Sequence, residues 1–137
     1  MDHRQLEVRV EQHETCELFR AVWAALPPVA NEIIGDRLVL VDSLAAGVSK
    51  GCAVVELRDS HYVIHLDETK LLAPADEPEA LWNIACQLAV VFLGCLRLDD
   101  EDAARRHAMA QAEAWGFVPP YEKDEDVWRD FLQQLKI

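Results

Sequence analysis

Two histidines, His61 and His65, have a spacing that would allow both to bind one metal ion. They fall in a run of β-branched and aromatic residues that predicts a strand, so both point to one face of a sheet. Imidazole is a common metal ligand, and an acidic neighbour such as Asp67 could bind the metal ion together with the two histidines. Val63 stands between the two histidines and suits a half-buried face. We favour two ordinary edge-strand histidines and keep the metal pair as the alternative.

Two further groups are chemically suggestive but fit ordinary helices better. His13, Glu14 and Glu17 nearly match the zinc motif HExxH, but a glutamate holds the final position, so a solvated helix face is the simpler interpretation. Residues 99–102 are all acidic, yet they lack the spaced oxygen ligands and the glycine of a calcium-binding EF-hand loop. Their charge suits a helix N-terminus. The sequence contains no phosphate-binding loop, dinucleotide fingerprint or GxSxG motif.

The composition indicates an acidic globular chain. Of the 137 residues, 51% are hydrophobic and 28% charged, and the formal net charge is −12. This charge makes direct binding to nucleic-acid phosphates unexpected, whereas a basic protein surface is a compatible partner. The four cysteines form no CxxC pair, and the N-terminus shows no signal-peptide pattern. We therefore expect a cytoplasmic protein with reduced thiols and no zinc knuckle.

The segment 79–98 organises the predicted fold. From Ile84 to Leu96 its only polar side chain is Gln87, and so long an apolar run favours a helix over a strand. A helix that is apolar nearly all round must be buried on all sides. Asn83 and Gln87 interrupt the apolar character and acidic clusters flank the segment. We therefore expect a core helix and no membrane span.

The other predicted elements surround this helix in one domain over residues 1–137. We expect a first helix over 3–26, a short helical turn over 29–34, strands over 37–41, 52–57 and 62–66, and helices over 101–115 and 124–135. Gly116 is the stop signal of the helix that precedes it. This order predicts an α+β fold, in which a small three-stranded antiparallel sheet packs on the central buried helix with flanking helices.

Two local strings resemble the ImmA/IrrE-type zinc metallopeptidases, a zincin-like family. Residues 84–95 read Ile-Ala-Cys-Gln-Leu-Ala-Val-Val-Phe-Leu-Gly-Cys, which fits without a gap the family's context around His-Glu-Leu-x-His and a later Leu-Gly-His. The string Ala114-Trp115-Gly116-Phe117 matches the end of the family's next helix. The resemblance covers residues 52–118 and implies a zincin-like core over 29–118.

The positions that carry the family's chemistry are substituted in this chain. The resemblance puts Cys86 at the first His, Gln87 at the Glu, Val90 at the second His, and His107 where a third ligand, commonly Glu, would stand. Gln87 cannot take a proton at neutral pH, and Val90 has no donor atom. Cys86 and His107 can each bind zinc, but two ligands do not make a catalytic site. An ordinary buried helix with a coincidental likeness is the competing interpretation.

The sequence therefore predicts a non-catalytic protein-interaction or regulatory subunit built on a degenerate zinc-metallopeptidase-like fold, with no cofactor and no metal. The resemblance implies a bacterial or phage setting and a link to transcriptional regulation or stress. We expect a protein partner or self-association, with Trp128 and Phe131 on the last helix as candidate anchors. Two alternatives stay open: a metal-dependent hydrolase with an unorthodox site at Cys86 and His107, and an acidic inhibitor that mimics nucleic acid.

Overall fold

The computed structural model describes residues 7–43, 53–59, 61–72, 77–94 and 101–119, and it shows an α+β fold. The strands form one four-stranded sheet in the order β1-β2-β4-β3. In chain order the elements are β1 (Glu7–Arg9), α1 (His13–Ala25), α2 (Pro28–Arg37), β2 (Leu38–Ser43), β3 (Ala53–Arg58), β4 (His61–Leu66), α3 (Glu68–Leu72), α4 (Glu77–Leu93) and α5 (Glu101–Ala114).

The sheet is mixed, which corrects the predicted three-stranded antiparallel sheet. β1 pairs with β2 and β2 pairs with β4 in parallel, and only β3 and β4 are antiparallel. β3 runs in the direction opposite to β2 along the outer side of β4. The chain then reverses, so β4 runs in the same direction as β2. The additional strand comes from residues 7–9, which the apolar stripe assigns to the first helix. That helix begins instead at His13, because Val8 fits a helical stripe and a short strand equally well.

The two faces of the sheet differ in chemistry. The pairing register places Leu38 beside Tyr62 and Val41 beside Ile64, and these four residues belong to the buried hydrophobic core. The opposite face, which we call the polar face, carries the apolar residues Leu40, Val54 and Val63 among acidic, basic and imidazole side chains: Glu7, Arg9, Asp42, Glu56, Arg58, His61 and His65. The sheet therefore separates a helix-covered apolar layer from a charged surface.

Helix α4 is the centre of the core, as predicted. Its side chains Ile84, Ala85, Leu88 and Val91 are at most 2% exposed, and α4 contacts α1, α2, α5 and β3. Burial is not complete on all sides, since one stripe of α4 remains half-exposed. Of the helices in the described ranges, none has both the length and the apolar character needed to span a membrane.

The C-terminus of α4 is fixed by a side chain from α2. The Arg37 guanidinium donates to the carbonyl oxygen of Val91 at 3.0 Å and also to that of Phe92. Carbonyls in the last turn of a helix have no partner within the helix, so a cation that bonds them stabilises the end. Gly94 follows with a φ of 66°. The helix therefore stops at Leu93, earlier than the predicted end at residue 98.

Helix α5 ends at a glycine turn, as the sequence predicts. The Phe117 N–H donates to the Ala112 carbonyl at 3.1 Å, and the Gly116 N–H donates to the Glu113 carbonyl at 2.9 Å. These two bonds define a Schellman motif, in which the residue at the turn adopts a left-handed conformation. Gly116 has a φ of 102°. Trp115 then packs edge-to-face on Phe92 of α4, with ring centroids 5.3 Å apart.

Several boundaries differ from the prediction. The predicted helical turn over 29–34 is a ten-residue helix that runs through Gly35, and the five-residue helix α3 has no counterpart in the prediction. Strands β2, β3 and β4 begin and end within two residues of their predicted bounds. Residues 95–98 and the predicted helix over 124–135, with Trp128 and Phe131, lie outside the described residues.

Gly116→Ala and Gly35→Ala should change stability in opposite directions. A side chain at the left-handed Gly116 should lower the free energy of unfolding by about 1–2 kcal/mol. Gly35 lies inside α2 with open space around its missing Cβ. Alanine there should raise the free energy of unfolding by about 0.5–1 kcal/mol. Urea unfolding of both variants measures these changes. Equal changes in unfolding free energy would contradict the left-handed conformation of Gly116.

Candidate functional site

One stripe of α4 carries the side chains at the family's motif positions. Cys86, Gln87 and Val90 are all half-buried, while Leu88 and Ala89 between them are fully buried. Residues three and four positions apart share one face of a helix, so these three side chains form a single stripe. We call Asn83, Cys86, Gln87 and Val90 the α4 stripe. The structure thus brings together three of the four predicted site positions on one element.

The α4 stripe combines amide, thiol and apolar side chains. The Gln87 amide donates and accepts hydrogen bonds but is not a base, and the Val90 side chain is purely apolar. The Cys86 side chain packs partly against the hydrophobic core. Gln87, which stands at the position of the motif's glutamate, and Val90 cannot act as the general base that activates a zinc-bound water in HExxH enzymes.

The fourth predicted position, His107, lies on α5. Its side chain is half-buried, and α5 is the helix that packs most extensively on α4. The alanines Ala108, Ala110 and Ala112 are buried, so α5 approaches its neighbours closely. Within residues 7–43, 53–59, 61–72, 77–94 and 101–119, no three His, Cys, Asp or Glu side chains are grouped so as to hold a metal ion.

The polar face of the sheet contains a second group of interacting side chains. The Nε2 atom of His65 lies 3.0 Å from Oε2 of Glu56, and the Arg58 guanidinium donates to the same oxygen at 2.8 Å. The hydrogen bond with His65, followed by that with Arg58, holds the pKa of Glu56 below its ordinary value. The carboxylate therefore stays ionised and joins β4 to the outer strand β3.

Asp67 does not join His61 and His65 as the acidic partner considered for a metal pair. Asp67 is fully buried, and its Oδ1 atom accepts the backbone N–H of Lys70 at 3.2 Å in the first turn of α3. It follows β4 directly and serves as a helix cap, whereas His65 pairs with Glu56. His61 and His65 do share one face, as predicted, because both lie on the polar face of β4. They do not lie on an edge strand as expected, since β4 pairs with β2 on one side and with β3 on the other.

The near-match to HExxH on α1 is a solvated surface, also as predicted. His13, Glu14 and Glu17 are all exposed, and Nε2 of His13 lies 3.0 Å from Oε1 of Glu17. An exposed pair of this kind contributes little to stability.

A buried carboxylate, Glu68, is the polar group that sequence reasoning missed. Its Oε2 atom accepts the Ser43 hydroxyl at 2.6 Å and the Glu11 N–H at 3.1 Å, and its Oε1 atom accepts the Gln12 N–H at 2.9 Å. Glu68 thus joins the start of α3 to the end of β2 and the N-terminus of α1. Its only sequence signal is an acidic residue directly after a strand, which is too common to be diagnostic.

The environment of Glu68 favours the charged form. Burial raises the pKa of its carboxyl, but the hydrogen bonds from Ser43, Gln12 and Glu11 outweigh burial and leave the pKa below its ordinary value. The nearby buried Thr15 hydroxyl also lowers the pKa of Glu68, although its position falls outside ordinary hydrogen-bond geometry. With its donors supplied by the protein itself, Glu68 is a structural group.

Comparisons with known proteins add no relative to this description. No family model matches the chain, and no curated protein and no solved structure matches it either. The ImmA/IrrE resemblance therefore stays a prediction from residues 84–95 and 114–117.

Glu68→Gln should destabilise the protein in a pH-dependent way. The amide keeps one acceptor oxygen and brings donors that oppose the Glu11 and Gln12 N–H groups, so we expect a loss of about 1–3 kcal/mol in unfolding free energy at pH 7. A lowered pKa gives stability that is present above the unfolded-state pKa and lost as the pH falls through the folded-state pKa. The difference between wild type and variant should therefore shrink in acid.

Urea unfolding of both proteins from neutral to acidic pH measures this effect. Glu32→Gln is the matched control, because Glu32 is exposed on α2 and its loss should cost less than about 0.5 kcal/mol at any pH. A pH-independent difference for Glu68→Gln would contradict the role of its charge.

Proposed function

We propose that this chain is a non-catalytic protein-interaction module with a zincin-like core that has lost its metal site. The observation that carries the proposal is the α4 stripe. The positions at which the resemblance expects a ligand, a base and a second ligand hold Cys86, Gln87 and Val90, half-buried on one helix face. A thiol, an amide and an isopropyl group in that arrangement suit contact with another protein surface.

The element order around α4 supports the proposal. In the ImmA/IrrE-type family a strand hairpin leads into the motif helix, and here the antiparallel pair β3 and β4 precedes α4. Helix α5 follows, packs on α4 and ends in the Schellman turn at Ala114-Trp115-Gly116-Phe117. The Trp115–Phe92 ring contact ties that turn to the C-terminal end of α4. Two residues of the matching strings, Phe92 and Trp115, thus contact each other between the two helices.

A metal-dependent hydrolase built on Cys86 and His107 is the second candidate. The observation in its favour is that both side chains are half-buried on two helices that pack together. A catalytic zinc usually takes three protein ligands and a water, so this candidate requires a further ligand. The nucleic-acid mimic has less support, because the polar face interleaves Arg9, Arg58 and two histidines with its carboxylates.

Restoring the motif tests whether α4 occupies the position of a zinc-binding helix. The triple variant C86H/Q87E/V90H should bind about one zinc ion per chain, since two His one turn apart would be joined by a third ligand such as His107. Wild type, purified without chelator, should carry zinc far below that ratio and should not hydrolyse peptides. Elemental analysis and a competition titration with a zinc indicator provide the measurements.

The chain offers a matched control for this variant on α1. Glu17→His turns residues 13–17 into a literal HExxH on an exposed helix, without the surroundings of α4. We expect it to bind zinc much more weakly than the triple variant. Equal affinities would mean that α4 supplies no prepared site, which would remove the resemblance as a basis for the proposal. Stoichiometric zinc in wild type that is lost in C86A or H107A would establish the hydrolase candidate instead.

A further inference from the structure

Strand β3 forms one edge of the sheet and presents apolar side chains at that edge. No strand among the described residues pairs with its outer side. Val54 is 41% exposed and Leu57 is 39% exposed, and they are two of four large hydrophobic residues in the described ranges with such exposure. An uncovered edge of this kind offers free backbone groups to another strand. β3 is therefore a candidate docking surface.

The charges on β3 favour pairing with a second copy of the same strand. Glu56 and Arg58 lie two residues apart on the polar face, with Leu57 between them on the core face. If two copies of β3 pair in antiparallel fashion about a twofold axis at Leu57, each Glu56 lies directly opposite the second copy's Arg58. The two Leu57 side chains then meet each other on the core face. Opposite charges facing across a strand pair stabilise it, and like charges destabilise it.

We propose that β3 pairs with β3 of a second copy of this chain, which joins two four-stranded sheets into one across a twofold axis. The inference deepens the proposed function, since it names one surface and one partner for an interaction module. The contact is isologous and therefore closes at two copies. The overlapping ladder is short, because Asp59 has a φ of 48° and turns the chain away. We therefore expect a reversible dimer whose population rises with concentration.

The other edge of the sheet provides an internal comparison. Strand β1 reads Glu7-Val8-Arg9, the same Glu-apolar-Arg pattern, and its Arg9 guanidinium lies 2.6 Å from the Glu7 carboxylate. Its apolar residue is only half-exposed and packs on the core, whereas Leu57 is exposed at the β3 edge. The exposed apolar surface therefore favours β3 as the self-pairing edge, and charge changes on β1 become a matched control.

The test measures mass in solution over a range of concentrations by sedimentation equilibrium. Wild type should form dimers. E56R places Arg opposite Arg, and R58E places Glu opposite Glu, so each single variant should dissociate at least about tenfold more readily. Mixing the two variants restores opposite charges at both positions, so an equimolar mixture should form heterodimers. E7R should dimerise like wild type, and circular dichroism of every variant verifies folding.

Each outcome decides the proposal. A wild type that is monomeric at all concentrations overturns it, as does an E56R and R58E mixture that stays monomeric. Dissociation caused by E7R would indicate pairing of β1 with β3 in open-ended chains, which also overturns the twofold pairing. The zinc measurements do not depend on any of these results. If self-pairing fails, the proposal of a non-catalytic interaction module still stands or falls on those measurements and requires a different protein partner.

Discussion

Helix α4 cannot be stable in water unless its apolar surface is covered, and the rest of the described chain is arranged to cover it. Burial of each large aliphatic side chain contributes about 1.5–3 kcal/mol, so Ile84, Leu88 and Val91 together carry a large share of the folding free energy. The sheet covers one side of α4 and neighbouring helices cover others. Arg37 then satisfies the carbonyls at its end.

The parts of the fold that follow from local sequence were predictable, and those that depend on distant pairing were not. The apolar run of α4 and the glycine after α5 act over a few residues, so pattern and turn chemistry identify them. The parallel pairing of β1 with β2 joins residues more than thirty positions apart. A three-residue strand has no period of its own, which is why residues 7–9 resemble a continuation of the first helix. The short helix α3 was not predicted for the same reason, because its five residues are too few to show a helical period.

The candidate site shows a similar division. Helical geometry puts Cys86, Gln87 and Val90, the positions aligned with the zinc motif, together on the α4 stripe. Spacing alone could not predict the partner of His65, because Glu56 reaches it from a neighbouring strand and Asp67 turns inward to cap α3. Adjacent residues in sequence often serve different layers of a protein. Which carboxylate meets which histidine is decided by strand register, and that is a property of the folded chain.

The long-range bonds of Glu68 also have a consequence for folding kinetics. Its bonds to Glu11 and Gln12 span 57 and 56 residues, and the Arg37–Val91 bond spans 54. Contacts of such separation close large loops at an entropic cost, so we expect them to form late in folding. Interactions made after the rate-limiting step leave the folding rate unchanged and slow unfolding instead. We therefore expect the bonds of Glu68 and Arg37 to slow unfolding and to leave the folding rate nearly unchanged.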